Sequence, residues 1–77
     1  MRELLEFLAR SLVDDPAAVV VEQFDDDDGT VVLELVVGED DYGKVIGRGG
    51  RTANALRTVM KAAAVREERR VIVDIVD

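Results

Sequence analysis

Three glycines and two arginines at five consecutive positions are the residues whose types and spacing point most clearly to chemistry: Gly47, Arg48, Gly49, Gly50 and Arg51. Glycines let the backbone turn sharply, and they let a ligand reach the main chain without obstruction by Cβ atoms. A helical pattern begins at Arg51, so unpaired N–H groups and the positive end of a helix dipole face the loop. The sequence therefore predicts a binding site for phosphate or for a sugar-phosphate backbone.

The distribution of charge also favours an anionic ligand at this loop. The chain of 77 residues has a net charge of −7, but residues 43–70 hold eight basic and two acidic side chains, whereas residues 1–42 hold two basic and 13 acidic ones. A basic segment on an acidic body is typical of a local site for nucleic acid. We expect modest affinity, because the acidic remainder opposes tight binding.

Catalysis and metal binding are not expected. The sequence has no Cys and no His, and its one serine, Ser11, has no neighbouring base to activate it. The acidic run 25–28 does not fit a calcium loop, since aligning Gly29 with the loop glycine puts Phe24 and Leu35 at ligand positions. We therefore expect a solvated turn there, no metal, no cofactor and no enzyme activity.

The elements that must position the loop follow from hydrophobic periodicity and from turn residues. A chain of this length allows one domain, residues 1–77, and the pattern predicts an α+β fold in the order α-β-β-α-α-β. The predicted elements are a helix over 2–13, strands over 17–24 and 30–37 joined by a hairpin, a short helix over 38–46, a helix over 51–65 and a strand over 70–76. No apolar run reaches the ~20 residues of a membrane span, so we expect no membrane association and a cytoplasmic location.

Other glycine motifs fit the loop less well. A dinucleotide-binding fingerprint needs glycine or alanine where Thr52 stands and should directly follow a strand. A Walker loop lacks its Gly-Lys-Ser/Thr. A helix-hairpin-helix shares the spacing of Gly47, Gly49 and Ala53 but normally has an apolar residue in place of Arg48, so it stays a minor alternative. An ordinary glycine-rich turn between helices is the structural alternative.

The segment Val45-Ile46-Gly47-Arg48-Gly49-Gly50, preceded by Gly43-Lys44 and followed by a helix, resembles the Ile-Gly-x-x-Gly signature of KH domains. The predicted element order resembles the type II arrangement of that fold. The opening RELLEFLARSLVDDP, the segment GKVIGRGGRTANALRTVMKAAA and the last strand together are similar to the small bacterial KH proteins of the KhpA family.

This resemblance implies a three-stranded mixed sheet covered on one face by three helices, and a groove for about four unpaired nucleotides. Gly47 and Gly50 would frame the loop, the loop amides and Arg48 would hold phosphates, and Ile46 would line the floor. The residues implied to bind RNA are Lys44, Val45, Ile46, Gly47, Arg48, Gly49, Gly50 and Arg51. Strand 70–76 would form the opposite wall, with Arg66, Arg69 and Arg70 near its entrance.

The function that the resemblance implies is binding of single-stranded RNA with low sequence specificity, as a post-transcriptional regulator or RNA chaperone. The implied assemblies are a homodimer and a heterodimer with a larger KH-containing protein, KhpB-like. The alternative, which the net charge of −7 motivates, is a protein-interaction adaptor or dimerisation module with vestigial RNA binding.

Two further expectations concern apolar side chains. The open face of the sheet should carry Val20, Val32, Val36, Ile72 and Val76 beside Glu22, Glu34 and Asp74, which is more apolar than a solvated face requires. Both phenylalanines, Phe7 and Phe24, are expected to pack in the core.

Overall fold

The computed structural model describes residues 1–77 as three helices and three strands in the predicted order α-β-β-α-α-β. The helices are α1 (Arg2–Leu12), α2 (Tyr42–Ile46) and α3 (Arg51–Arg66), and the strands are β1 (Val20–Asp25), β2 (Val31–Val36) and β3 (Val71–Val76). Short 3-10 turns occupy Pro16–Ala18, Glu39–Asp41 and Arg48–Gly50. None of the helices combines the length and the apolarity that crossing a bilayer requires.

The sheet is mixed, with β2 in the centre. β1 pairs with β2 antiparallel through the predicted hairpin, whose turn is closed by hydrogen bonds between Asp26 N and Thr30 O and between Gly29 N and Asp26 O, both 2.9 Å. β3 pairs with β2 in parallel, and the connection between them contains α2 and α3. This connection places α3 beside the free edge of β3.

The core lies between one face of the sheet and the three helices. Alternate strand residues point into it, as period-2 patterning predicts: Val21, Val31, Leu33, Leu35, Val71, Val73 and Ile75. The helices contribute Leu5, Ala9, Val45, Ala53, Leu56, Met60 and Ala64. The predicted apolar stripe of α3 is therefore confirmed, except that Ala63 is only half-buried.

Two predictions about this region are wrong. β1 begins at Val20 and not at residue 17, because Pro16 opens a 3-10 turn, a position that suits its fixed φ. The phenylalanines do not pack in the core: Phe7 is 66% exposed on α1 and Phe24 is 47% exposed on the open face of the sheet. Residues Leu5 and Ala9 take the inward positions of α1, so Phe7 points to solvent.

Candidate nucleic-acid interface

The loop between α2 and α3 has a backbone that only glycine adopts easily. Gly47, Gly49 and Gly50 all have positive φ, at 75°, 63° and 78°. Gly47 combines its φ with a ψ of 169°, a region that is essentially restricted to glycine. Its N–H donates to Gly43 O at 2.9 Å, which ends α2, and its carbonyl accepts from Gly50 N at 3.1 Å. The chain thereby reverses within four residues.

Gly47 also packs directly against the start of α3. A Cβ built on Gly47 would lie 2.8 Å from the backbone nitrogen of Thr52 and would overlap the Thr52 side chain. Around Gly49 and Gly50, in contrast, a Cβ would meet nothing within 4 Å. The loop thus has one tightly packed glycine on its inner side and two glycines whose backbone is open to an approaching ligand.

The electrostatics of the loop are positive. α3 begins at Arg51 with no side-chain cap and no acidic residue in its first turn, so its N-terminal amides have no acceptor from a side chain. Arg48 and Arg51 are exposed, and neither has a carboxylate oxygen within 4 Å. Their guanidinium groups and the helix N-terminus are therefore available to an anion such as phosphate.

The predicted site residues divide by burial. Ile46 is half-buried against the core at the base of the loop, as a floor residue would be, whereas Val45 is fully buried at 0% exposure. The side chain of Val45 therefore anchors α2, and only its backbone could face a ligand. Gly47, Arg48, Gly49, Gly50 and Arg51 come together at the surface.

Lys44, also a predicted site residue, is engaged elsewhere. Its ammonium lies 2.9 Å from Asp14 Oδ2 and 3.2 Å from Asp41 Oδ1. Asp41 is 2% exposed, and its two oxygens accept the N–H groups of Asp14 and Asp15 at 3.1 and 3.0 Å. Lys44 and Asp41 thus join α2 to the chain that leaves α1. The sequence signal was the i, i+3 spacing of Asp41 and Lys44, which places the two side chains on one helical face.

The hydrogen bonds of this cluster shift two pKa values. The pKa of Asp41 is lowered, chiefly by the Asp14 amide and against the effect of burial. The pKa of Lys44 is raised, first by its hydrogen bond to Asp14 and then by the one to Asp41. A lowered folded pKa means that the contribution of Asp41 to stability is present above about pH 4 and is lost as the pH falls through the folded value. The contribution of Lys44 is present below about pH 10 and is lost as the pH rises through its folded value.

We expect Asp41→Asn to lower the Tm at pH 7 by at least about 5 °C, because an amide is a weaker acceptor for two backbone N–H groups and no longer pairs with Lys44. The difference from wild type should be constant between pH 5 and 9 and should shrink below about pH 4, because the unfolded wild-type chain is protonated at Asp41 there, before the folded protein is at its lowered pKa. Thermal melts followed by circular dichroism measure both effects. The matched control is Asp40→Asn, at the neighbouring exposed carboxylate. If the Tm of both variants differed from wild type by the same amount at every pH, the stabilising role assigned to Asp41 would be contradicted.

A groove lies between α3 and β3, and its lining begins at Arg57. Two adjoining cavities, of about 240 and 530 Å³, share the lining residues Lys61, Val71 and Ile72. Because Arg70 O accepts from Val31 N toward β2, the backbone groups of Val71 and Val73 point to the opposite side, along the free edge of β3. Arg57 Nε donates to Val73 O at 3.3 Å on this edge. The groove thus has apolar side chains and free backbone groups of β3 on one side and the cations of α3 on the other.

The far end of the groove is closed by the acidic hairpin. Arg69 Nη2 donates to Gly29 O at 3.0 Å and lies 3.5 Å from Asp25 Oδ1, and Arg70 Nη2 lies 3.5 Å from Asp28 Oδ2. The pKa of Asp28 is lowered, chiefly by the Thr30 N–H and further by Arg70. The sequence predicted a solvated turn, and the resemblance implied Arg66, Arg69 and Arg70 near the entrance, but only the tertiary fold shows that Arg69 and Arg70 meet the carboxylates of the turn.

The cations therefore differ in their freedom to bind an anion. Lys44, Arg69 and Arg70 are paired with carboxylates. The basic side chains without a carboxylate oxygen within 4 Å around the loop and along α3 are Arg48, Arg51, Arg57, Lys61 and Arg66. The uncompensated charge starts at the glycine loop and follows α3.

A mixed sheet with parallel β2 and β3, three helices on one face and a glycine loop between α2 and α3 define a type II KH domain. The same fold occurs in solved structures of the protein Era. A variant of Era from Aquifex aeolicus bound to GDP and AlF4 matches with a TM-score of 0.65 and 18% identity, and the match covers 96% of this chain and 28% of Era. Era in complex with MgGDPNP and nucleotides 1506–1542 of 16S ribosomal RNA matches with the same score and coverage.

The sequence assigns the family. The family model described as KhpA/KhpB, KH domain, matches residues 2–75, and the chain belongs to this family. The relative named RNA-binding protein KhpA from Clostridium acetobutylicum is 51% identical over 76 residues, which cover 99% of this chain and all of that protein. The proteins of the same name from Clostridium perfringens and Halalkalibacterium halodurans are 49% and 51% identical, again over their whole length. The predicted resemblance and fold class are confirmed.

Proposed function

We propose that this protein binds single-stranded RNA in the groove formed by α2, the glycine loop, α3 and β3, with low sequence specificity. The observation that carries the proposal is the set of uncompensated cations that starts at the glycine loop and follows α3 beside the free edge of β3. The relatives over the whole length of the chain bear the name RNA-binding protein KhpA, which supports the same function. Nothing in the proposal calls for catalysis, a metal or a cofactor.

The roles within this proposed site follow from the geometry. The amide of Gly49 and the guanidinium groups of Arg48 and Arg51 hold two or more phosphates, because they are open and positive, whereas the amide of Gly50 already donates to Gly47 O. The half-buried Ile46 lines the floor. Phosphate contacts position a strand without reading its sequence, so little specificity results. Lys44 and the side chain of Val45 contribute by holding α2 in place, and they reach RNA only through backbone groups or after Lys44 leaves its carboxylates.

A second RNA-binding domain would raise the affinity of a single small groove. We infer that the chain acts as one domain over residues 1–77 within a dimer, either with itself or with a larger KH-containing protein of the KhpB type. Two linked grooves increase avidity without new contacts in either groove. The family description, which joins KhpA and KhpB, supports this pairing. We place the assembly in the cytoplasm of bacteria, as a post-transcriptional regulator or RNA chaperone.

The experiment is fluorescence anisotropy of a labelled single-stranded RNA of about 15 nucleotides at several salt concentrations. We expect a micromolar Kd and a slope of log K against log salt between roughly −1.4 and −2.8, which corresponds to two to four phosphate contacts at about −0.7 each. A double-stranded RNA of equal length is the control and should bind more weakly, because the groove accepts unpaired bases. Absence of binding at low salt, or equal binding of both RNAs, would contradict the proposal.

A protein-interaction adaptor is the second candidate function. The observation in its favour is that carboxylates of the hairpin form ion pairs with Arg69 and Arg70 at the end of the groove, in a chain of net charge −7. An adaptor would form a stoichiometric complex with its protein partner that nuclease treatment leaves intact. Absence of RNA binding in the anisotropy experiment, together with such a complex, would favour this function.

A further inference from the structure

The face of the sheet opposite the helices is uncovered, and its nine outward side chains form three rows. The register aligns Phe24, Val32 and Ile72 in one row, Glu22, Glu34 and Asp74 in the next, and Val20, Val36 and Val76 in the third. We call the middle one the carboxylate row and the others the Phe24 row and the Val36 row. The carboxylate row therefore crosses all three strands between two apolar rows.

The apolar rows are strongly exposed. Ile72 is 54% exposed, and Phe24 and Val20 are 47% and 48% exposed. The predicted composition of this face is confirmed, and Phe24 enlarges its apolar part. Two rows of exposed, large apolar side chains on an uncovered sheet face are typical of a protein-protein contact.

The carboxylate row has no internal compensation. Neighbouring strands lie about 4.8 Å apart, so its three acidic residues stand side by side. No basic residue is present among the nine, and no Lys or Arg nitrogen lies within 4 Å of Glu22, Glu34 or Asp74. Like charges directly opposite each other on a sheet are destabilising. The carboxylate row therefore does not stabilise the isolated fold, whereas a cationic partner would compensate its charge.

We propose that this face docks an amphipathic helix of a partner protein, in which a line of Arg or Lys residues is flanked on both sides by apolar residues. The basic line would lie along the carboxylate row, and the apolar flanks would cover the Phe24 row and the Val36 row. Side chains at i, i+3 and i+7 of a helix are spaced about 5–6 Å apart, close to the ~4.8 Å between strands. The charge pattern and the spacing together select this occupant.

Two other occupants fit this face less well. A second copy stacked face to face by a two-fold axis would bring carboxylate row against carboxylate row. A head-to-tail contact with the basic groove of another copy would not close into a dimer, and it would fill the groove proposed for RNA. RNA itself would bring phosphates against three carboxylates. The partner must therefore differ in chemistry from both this chain and RNA.

The test uses a synthetic helical peptide of 16 residues with Arg at positions 5, 8 and 12 and leucines on both sides of that line. The ¹⁵N-labelled protein is titrated with the peptide, and amide shifts are followed by NMR. We expect the largest shifts in β1, β2 and β3 at residues of the three rows, and no shifts in the glycine loop. A second peptide with Glu in place of each Arg should bind at least about tenfold more weakly.

Two triple variants of equal charge change make the test specific. Glu22→Gln/Glu34→Gln/Asp74→Asn should bind the Arg peptide at least about tenfold more weakly than wild type. Glu3→Gln/Asp27→Asn/Asp40→Asn, which changes exposed carboxylates elsewhere, should bind it as wild type does. Ile72→Ser, at an exposed position, should weaken binding without unfolding the protein, and the NMR spectra report whether each variant is folded.

Several outcomes would overturn the proposal. These are equal affinity for both peptides, equal affinity of the two triple variants, shifts in the glycine loop and α3 instead of the sheet, or no binding at about 1 mM peptide. A dimer in sedimentation analysis that Ile72→Asp converts to a monomer would assign the face to a second copy. None of these outcomes depends on whether the groove binds RNA, so this proposal and the proposed function fail separately.

Discussion

The double variant Arg48→Asp/Gly49→Asp is expected to lose RNA affinity by at least about tenfold while it keeps its fold. Arg48 is exposed and has no carboxylate partner, so its replacement breaks no ion pair. Gly49 has φ 63° and ψ 19°, a left-handed conformation that Asp tolerates better than most residues, and open space surrounds it. The variant thus changes only the charge that faces the phosphates, and a shift of three units beside a phosphate opposes binding.

Anisotropy with the same RNA measures this effect, and circular dichroism verifies the fold. The matched control is Arg2→Asp/Ala17→Asp, which makes the same change of net charge at exposed positions outside the groove. The control should bind RNA within about twofold of wild type, since screening weakens charges beyond a Debye length of about 10 Å. Similar losses in both variants would mean that overall charge, and not the loop, governs binding.

Among glycine-to-alanine substitutions in this chain, Gly47→Ala is expected to lower the stability and the RNA affinity most. The backbone of Gly47 lies in a region that is strained for other residues by about 1–3 kcal/mol. In addition, the new Cβ would lie 2.8 Å from Thr52 N. Either α3 shifts away from the loop or the loop changes its conformation, and both disrupt the proposed phosphate site. We expect a Tm lower by more than about 10 °C and no RNA binding at micromolar concentrations.

Gly43→Ala is the matched control for Gly47→Ala. Gly43 lies within α2, its φ is not positive, and a Cβ there would meet nothing within 4 Å. Alanine is favoured over glycine in a helix by roughly 0.5–1 kcal/mol, so this variant should be as stable as wild type or slightly more stable. If melts show equal Tm values for Gly47→Ala and Gly43→Ala, the packing of Gly47 against Thr52 does not determine the loop.

The sequence predicted the element order and the face assignments well, because these depend on local periodicity. Leu33 and Leu35 alternate with Glu34 and Val36, and this pattern specifies which face of β2 is buried. The predicted start of β1 was wrong because Pro16 opens a 3-10 turn that includes Ala17 and Ala18, and the β-branched residues begin only at Val19. The phenylalanines were misplaced because the buried positions of α1 are Leu5 and Ala9, one helical turn apart, and Phe7 lies on the exposed side between them.

The candidate site was predictable only where it is contiguous in sequence. Glycines followed by a helix imply the loop, and its residues Gly47 to Arg51 meet at the surface as predicted. The pairing of Lys44 with Asp14 joins residues 30 positions apart, and that of Arg69 with Asp25 joins residues 44 positions apart. Such contacts depend on how the helices and the hairpin pack, so a charge count along the chain could not show which cations remain uncompensated.

The parallel pairing of β3 with β2 has a consequence for the order in which the protein assembles. Val71 pairs with Val31, so this pair closes a loop of 40 residues that contains α2 and α3. Non-local pairs of this kind form late, because the entropy of loop closure must be met before their contacts stabilise the chain. We therefore expect β3, the wall of the groove, to be among the last parts of the chain to fold. A ligand on the free edge of β3 would slow hydrogen exchange of the β3 amides more than that of the hairpin amides. It would thereby stabilise the folded state against the opening of β3.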